Sequence, residues 1–214
     1  MITLRASTVD SFRTYADPDN DFISTEEMDA RLLGEGSTNP AMELGTAFHA
    51  AVAGNYVGAV QFDPDSIYRA RLGLGDAVPE VEGSVVLDID GTPALLTGHA
   101  DWLCGLDMLE IKTSTKPIPP ERYADSMQWR CYCVIFGIER VTYRLVQLDE
   151  TGGDYFAKVI DDVTLYRYPK LHDDVVRCLR SLLGYVRARG LVLPSVEGPD
   201  KPKGNGAKTK ERRT

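Results

Sequence analysis

Between Ser84 and Ser114 the chain runs through three short apolar segments, SVVLDI, PALLTGHADWL and MLEIKTS, separated only by Asp90-Gly91-Thr92 and by CGLD. Tight turns between such segments join strands into antiparallel hairpins, so this stretch commits the chain to a β-sheet against which the rest must pack. In the second hairpin a two-residue type II′ turn at Gly105-Leu106 pairs Cys104 with Asp107 and sets Asp101 opposite Glu110. Lys112 shares their face, because strand side chains repeat every second residue. Two carboxylates facing each other repel unless a cation lies between them, and carboxylate oxygens are what Mg²⁺ and Mn²⁺ prefer. The Lys112 ammonium could orient a water or stabilise charge on phosphoryl oxygens, as metal-assisted hydrolysis requires. The alternative is an ordinary ion-paired patch on an exposed face. Leu103, Leu109 and Ile111 oppose it, since they indicate a buried strand pair in which unpaired charges are costly.

Helices are expected on either side of these strands. Ser7 or Thr8 can cap a first helix carrying Val9, Phe12 and Tyr15, and Ser24 with Glu27 reads as a capping box before Met28, Leu32 and Leu33. Asn39-Pro40 opens a helix that Gly54 ends and that contains His49. The span 55–81 is weakly periodic, with a short helix in SIYRARLG. After Pro117, Pro119 and Pro120, one helix is expected from Glu121 to Gly137, then a hairpin through VTYRLVQL and YFAKVI with its turn at Thr151-Gly152-Gly153. The last helix runs from near Pro169 to Arg189 and presents Val175, Val176, Leu179, Leu182, Leu183 and Val186 on one face. The order of helices, three strands, helix, two strands and helix predicts an α/β (α+β) protein with a mixed sheet flanked by helices.

A length of 214 residues suits one core, expected over 1–193. The remainder, 194–214, lacks apolar residues and is expected to be a flexible tail, made basic by Lys201, Lys203, Lys208, Lys210, Arg212 and Arg213. The net charge of −8 argues against a protein that coats nucleic acid, although a site for divalent cations must itself gather carboxylates. No secretory signal and no run of ~20 apolar residues is present, so a cytoplasmic protein without membrane contact is expected. Cys104, Cys131, Cys133 and Cys178 show no CxxC spacing and are expected as reduced, structural thiols.

The motifs resemble those of the PD-(D/E)XK nucleases, in particular the RecB-type branch that includes bacterial and phage exonucleases. Gly45-Thr46-Ala47-Phe48-His49 looks like its GxxxH helix motif, Gly98-His99-Ala100-Asp101 like GxxD, Glu110-Ile111-Lys112 like (D/E)xK, and Gln128-Trp129-Arg130-Cys131-Tyr132 like QxxxY. The resemblance covers most of Ser7 to Leu148 and implies a restriction-endonuclease-like core. It also implies metal ligation by His49, Asp101, Glu110 and the Ile111 carbonyl, a catalytic Lys112, and substrate positioning by Gln128 and Tyr132. His99 and His172 match no motif and are read as structural. Relatives often carry a glutamate just before the first strand, and here either Glu80 or Glu82 could match it. Ala100 replaces the proline of the family name and Trp102 stands where arginine is frequent; neither removes a ligand. Relatives with an iron–sulfur cluster use one cysteine before the core and three after it, a pattern this chain lacks, so no cluster is expected.

The function implied is a Mg²⁺- or Mn²⁺-dependent DNA exonuclease of replication, recombination or repair. The small size is compatible with a phage origin, and a single-strand-binding or annealing protein is a candidate partner. The alternatives are a flap endonuclease and a noncatalytic DNA-binding module of the same fold. The latter would be expected to have lost a ligand or the lysine. A glycosidase using Asp101 and Glu110 fits poorly beside Lys112 and without a sugar-stacking cluster. No GxxxxGK[ST] motif provides an ATP site.

Overall fold

The computed structural model describes residues 1–36 and 38–194, so the expected tail, apart from Pro194, lies outside the described residues. Strand β1 (Ile2–Arg5) leads directly into helix α1 (Ala6–Tyr15), followed by α2 (Thr25–Leu33), α3 (Pro40–Ala53), the two-residue β2 (Gln61–Phe62) and α4 (Pro64–Arg71). Then come β3 (Val78–Ile89), β4 (Thr92–Cys104), β5 (Asp107–Ser114), α5 (Glu121–Asp125), α6 (Met127–Phe136), β6 (Arg140–Thr151), β7 (Asp154–Tyr166) and α7 (Leu171–Arg189). The seven strands form one mixed sheet in the order β1-β4-β5-β6-β7-β2, with β3 also paired to β4. Among the described residues no helix is long and apolar enough to cross a membrane.

Several expected signals act as read. Asn39 accepts from the Met42 amide, and Gly54, Gly137 and Gly190 end helices in the left-handed region, as Gly34 also does; Ser24 accepts from the Glu27 amide, but the Glu27 carboxylate pairs with Arg31, so only the serine half of the expected capping box forms. Asp90 and Gly91 both have positive φ, as a type I′ hairpin turn demands.

Four readings need correction. Helix α1 is capped by Arg5 rather than Ser7 or Thr8, because the chain leaves β1 already turning into the helix. The two short strands β1 and β2 carried no alternation of their own; each forms by parallel pairing with a distant strand. The expected helix from Glu121 breaks at Ser126, whose extended backbone (φ −56°, ψ 137°) separates α5 from α6. Strand β3 begins at Val78, so Glu80 and Glu82 lie inside it.

Two apolar clusters lie on opposite faces of the sheet. The larger joins α1, α2, α6 and α7 to residues such as Leu96, Ala100, Met108 and Tyr143. The smaller joins Phe48 and Val52 of α3 and Ala70 of α4 to Trp102, Ile111 and Val146. Helix α6 has buried residues all round, which is why Cys131 and Cys133 are both buried although they project to nearly opposite sides. Burial pushes both thiols up, as expected of structural cysteines.

Helix α6 can lie this close to the sheet because Gly98 has no side chain. A Cβ there would stand 2.9 Å from Ile135 Cδ1 and 3.0 Å from Tyr132 Cε1. Gly98→Ala is expected to lower stability by about 1–3 kcal/mol through overpacking and to displace Tyr132. Thermal or denaturant unfolding checks it, and an unchanged midpoint would show that the contact yields freely.

Candidate active site

Strand β3 occupies one edge of β4 from Thr92 to Leu103, so β1 and β5 must share the other. β1 pairs with Ala94 to Thr97, and β5 pairs only with Trp102 to Cys104. Residues Gly98 to Asp101 therefore face a gap in the sheet. On the β3 side the ladder is also interrupted at Glu80, the residue in register with Asp101, which has a left-handed φ of 54°. β4 thus loses both neighbours at Asp101.

Side-chain direction changes at the same point. Leu96 and Ala100 face the larger cluster, while Trp102, two residues on, faces the smaller one. A regular strand would keep these three on one face. The break lets side chains from both helical layers reach one place.

The expected turn is present, with Gly105 at φ 59° and Cys104 paired to Asp107. The expected pairing of Asp101 with Glu110 is not made, because β4 and β5 diverge beyond Trp102 and Leu109. The Asp101 carboxylate takes over the role of the lost backbone partner. Its Oδ2 accepts from the Ile111 amide at 2.7 Å, and His49 Nδ1 of α3 lies 3.3 Å from the same oxygen. α3 comes close enough because Gly45 packs on Thr113, where a Cβ would stand 2.6 Å from the threonine Oγ1.

Glu110 points the other way, toward α6, and is 4% exposed. Its Oε1 lies 3.0 Å from Lys112 Nζ, 3.4 Å from Gln128 Nε2 and 3.2 Å from the Tyr132 hydroxyl. Lys112 also donates to Gln128 Oε1 at 2.8 Å, and Gln128 Nε2 donates to the Tyr132 hydroxyl at 2.7 Å. That hydroxyl lies 3.0 Å from the His99 carbonyl as well. Glu110 Oε2, by contrast, is buried without a hydrogen-bond partner among the described residues.

These contacts set the charges. Burial raises the Glu110 carboxyl above the ordinary glutamate range and Asp101 adds to this, with Lys112 offsetting only part. Burial pulls the Lys112 ammonium down, but Glu110 and Asp101 outweigh it and hold the lysine charged above its usual value. The same balance, burial against the Asp101 and Glu110 charges, leaves His49 raised.

The six side chains singled out in the sequence are therefore brought to one place, but with a different division of contacts. Gln128 and Tyr132 are buried, and their polar atoms bind Glu110 and Lys112, so they hold these two residues in position. Arg130 faces elsewhere, as expected, donating to the Tyr168 hydroxyl and stacking over Trp129. His99 sits beside the site, 3.1 Å from Glu80 and exposed, whereas His172 lies on α7 next to Asp173. Sequence reading missed Asp10, whose carboxylate caps α6; no spacing could have linked residues 10 and 128.

Three clefts of about 780, 710 and 740 Å³ meet here. The first reaches Lys112 and Gln128 from the α1 side, the second enters the sheet gap at Asp101 and Glu110, and the third passes His49 and Lys112. Among the described residues no three His, Cys, Asp or Glu side chains converge into a complete metal shell. The donor chemistry nevertheless fits a hard cation: among the described residues the buried Glu110 Oε2 has no hydrogen-bond partner, and Asp101, with His49 3.3 Å from its Oδ2, lies near enough to raise the Glu110 carboxyl.

No protein-family model matches the sequence, and no curated protein matches it. Solved structures do match the fold. LHK-Exo, an alkaline exonuclease from Laribacter hongkongensis, in its complex with dAMP is 19% identical, with 87% of this chain and 88% of that chain covered at a TM-score of 0.50. A phage-related exonuclease from Haemophilus somnus is 11% identical, with 88% and 96% covered at a TM-score of 0.53. A mixed seven-stranded sheet flanked by helices is thus the fold that this chain shares with these exonuclease structures.

Proposed function

We propose that the protein is a divalent-metal-dependent DNA nuclease, acting as an exonuclease, with Mg²⁺ or Mn²⁺ as its ion. The observation that carries this reading is the buried, partnerless oxygen of Glu110 beside Asp101 and the Lys112 ammonium. A buried carboxylate oxygen so placed calls for a partner, and a cation entering the cleft would supply one. The likeness to exonuclease structures, one of them holding dAMP, supports DNA as the substrate.

Glu110 Oε2, Asp101, the Ile111 carbonyl and His49 would hold the cation. When bound, it supplies Lewis-acid activation of a scissile phosphate and of the attacking water. Lys112 offers a fixed positive charge, with protons to give, beside the carboxylates, where it can stabilise negative charge developing on a phosphoryl oxygen. Gln128 aims that ammonium through its Oε1 and steadies Glu110 through its Nε2. Tyr132 donates to Glu110 or to the His99 carbonyl, fixing the carboxylate against rotation.

End-labelled linear, circular and flapped DNA incubated with Mg²⁺, Mn²⁺ or EDTA tests the proposal. Linear DNA should be degraded from its ends only with metal, and circular DNA spared. Scission of circles would exclude an exonuclease, and metal-independent cleavage would exclude the mechanism.

Glu110→Gln and Asp101→Asn should abolish cleavage yet fold, because the amide oxygen introduced by Asp101→Asn can still accept from the Ile111 N–H. Asp101→Leu should in addition destabilise by about 1–3 kcal/mol, since it orphans that buried donor. Activity assays run beside thermal melts separate the two effects; identical melts for the asparagine and leucine variants would deny the hydrogen bond its role.

Lys112→Met is expected to lower kcat by on the order of 10²–10³-fold while the metal concentration for half-maximal activity holds. A fall in DNA affinity with kcat intact would make Lys112 a binding residue only.

Protons compete with the cation for Glu110, whose carboxyl stands above the ordinary glutamate range. As pH falls through that raised value the anionic form is lost, so half-maximal activity should require more metal, beginning above the pH at which a free glutamate titrates. Metal titrations across a pH series measure this. A requirement that stays flat down to the ordinary glutamate range would remove Glu110 from the ligands.

A further inference from the structure

Gln128 is the second residue of α6, in the turn where helix N–H groups have no partners of their own. Those groups are satisfied from outside the helix. Asp10 of α1 places its Oδ1 2.6 Å from the Met127 amide, 3.3 Å from the Gln128 amide and 2.8 Å from the Ser126 hydroxyl, which donates to it. Ser126 Oγ in turn accepts from the Gln128 amide at 3.1 Å. One carboxylate, 118 residues away in the chain, thus closes the first turn of the helix that supplies Gln128.

The placement is also favourable electrostatically, because an anion at a helix N-terminus meets the positive end of the backbone dipoles. Its effect is local. A fraying first turn moves Gln128 directly, whereas Tyr132 lies a full turn deeper and is wedged against Gly98. Lys112 would then lose its 2.8 Å acceptor on Gln128 while its bond to Glu110 survived.

We propose that Asp10 is a positioning residue for Lys112, acting through the first turn of α6 and the Gln128 side chain. The proposal rests on the nuclease reading for its effect on rate, though not for its effect on geometry. Helix α1 starts where β1 ends, opposite Thr97 at the mouth of the sheet gap, so the same element that opens the gap also sets the lysine beside it.

A double-mutant cycle in single-turnover cleavage of a short linear DNA at saturating metal tests this. Asp10→Ala should lower the rate about tenfold in the wild-type background and leave it unchanged in Gln128→Ala. The losses in melting temperature should instead add. Asp10→Asn, which keeps an acceptor oxygen, should recover most of the rate, and the metal requirement should stay within about twofold throughout. Equal rate losses in both backgrounds, or a change in melting temperature with no change in rate, would overturn the proposal. Should Asp10→Ala fail to fold, Ser126→Ala, which removes the hydroxyl linking Asp10 to the helix, carries the same cycle at smaller amplitude. The side-chain amide resonances of Gln128 provide a readout without DNA or metal. They should shift in Asp10→Ala, and their constancy would refute the positioning role even in a protein found to cleave nothing. If they shift while the wild-type protein proves inactive with every cation, the coupling stands and the nuclease reading fails.

Discussion

One edge of β4 has to serve two strands, and it cannot serve them continuously. β1 leaves at Thr97 and β5 joins only from Trp102, so the backbone between them is without a sheet neighbour on that side. Unpaired backbone inside a fold must find other partners. Here the Asp101 carboxylate substitutes for a strand by accepting from the Ile111 amide. An acidic residue therefore completes the hydrogen bonding of the sheet and faces the cleft at once, and the positions of Glu110, Lys112 and His49 follow from it.

The second constraint is charge. Burying a glutamate is costly, and donors on its oxygens offset part of that cost. Lys112 and Gln128 donate to Glu110 Oε1, the Tyr132 hydroxyl lies 3.2 Å from it and shares its proton between that oxygen and the His99 carbonyl, and among the described residues no donor meets Oε2. This asymmetry fixes the carboxylate's orientation, with Oε1 held by the protein's own donors. The Gln128 amide suits the task because it both accepts from the ammonium and donates toward the carboxylate, which no charged side chain could do.

Close approach completes the arrangement. Gly45 and Gly98 look like generic motif glycines, yet each stands where a methyl group would collide with a named neighbour, Thr113 in one case and Ile135 and Tyr132 in the other. They bring α3 and α6 down onto opposite faces of the sheet at its break. His49 reaches Asp101 from one layer and Gln128 reaches Lys112 from the other.

The local sequence determined what local physics controls. Ser24, Asn39-Pro40, Asp90-Gly91 and Gly105 each act within a few residues, through caps and turns, so the starts of α2 and α3, the two hairpins from β3 to β5 and the Glu110/Lys112 face were legible. The cluster of His49, Asp101, Glu110, Lys112, Gln128 and Tyr132 was readable from motif order. What the tertiary structure alone decided depends on partners far along the chain. β1 and β2 exist only by parallel pairing, α6 begins at Met127, where Asp10 caps it, and β4 and β5 part before Asp101 meets Glu110 because the sheet's edge is shared. Those outcomes come from competition among non-local hydrogen bonds and packing, and no periodicity in the sequence encodes which competitor prevails.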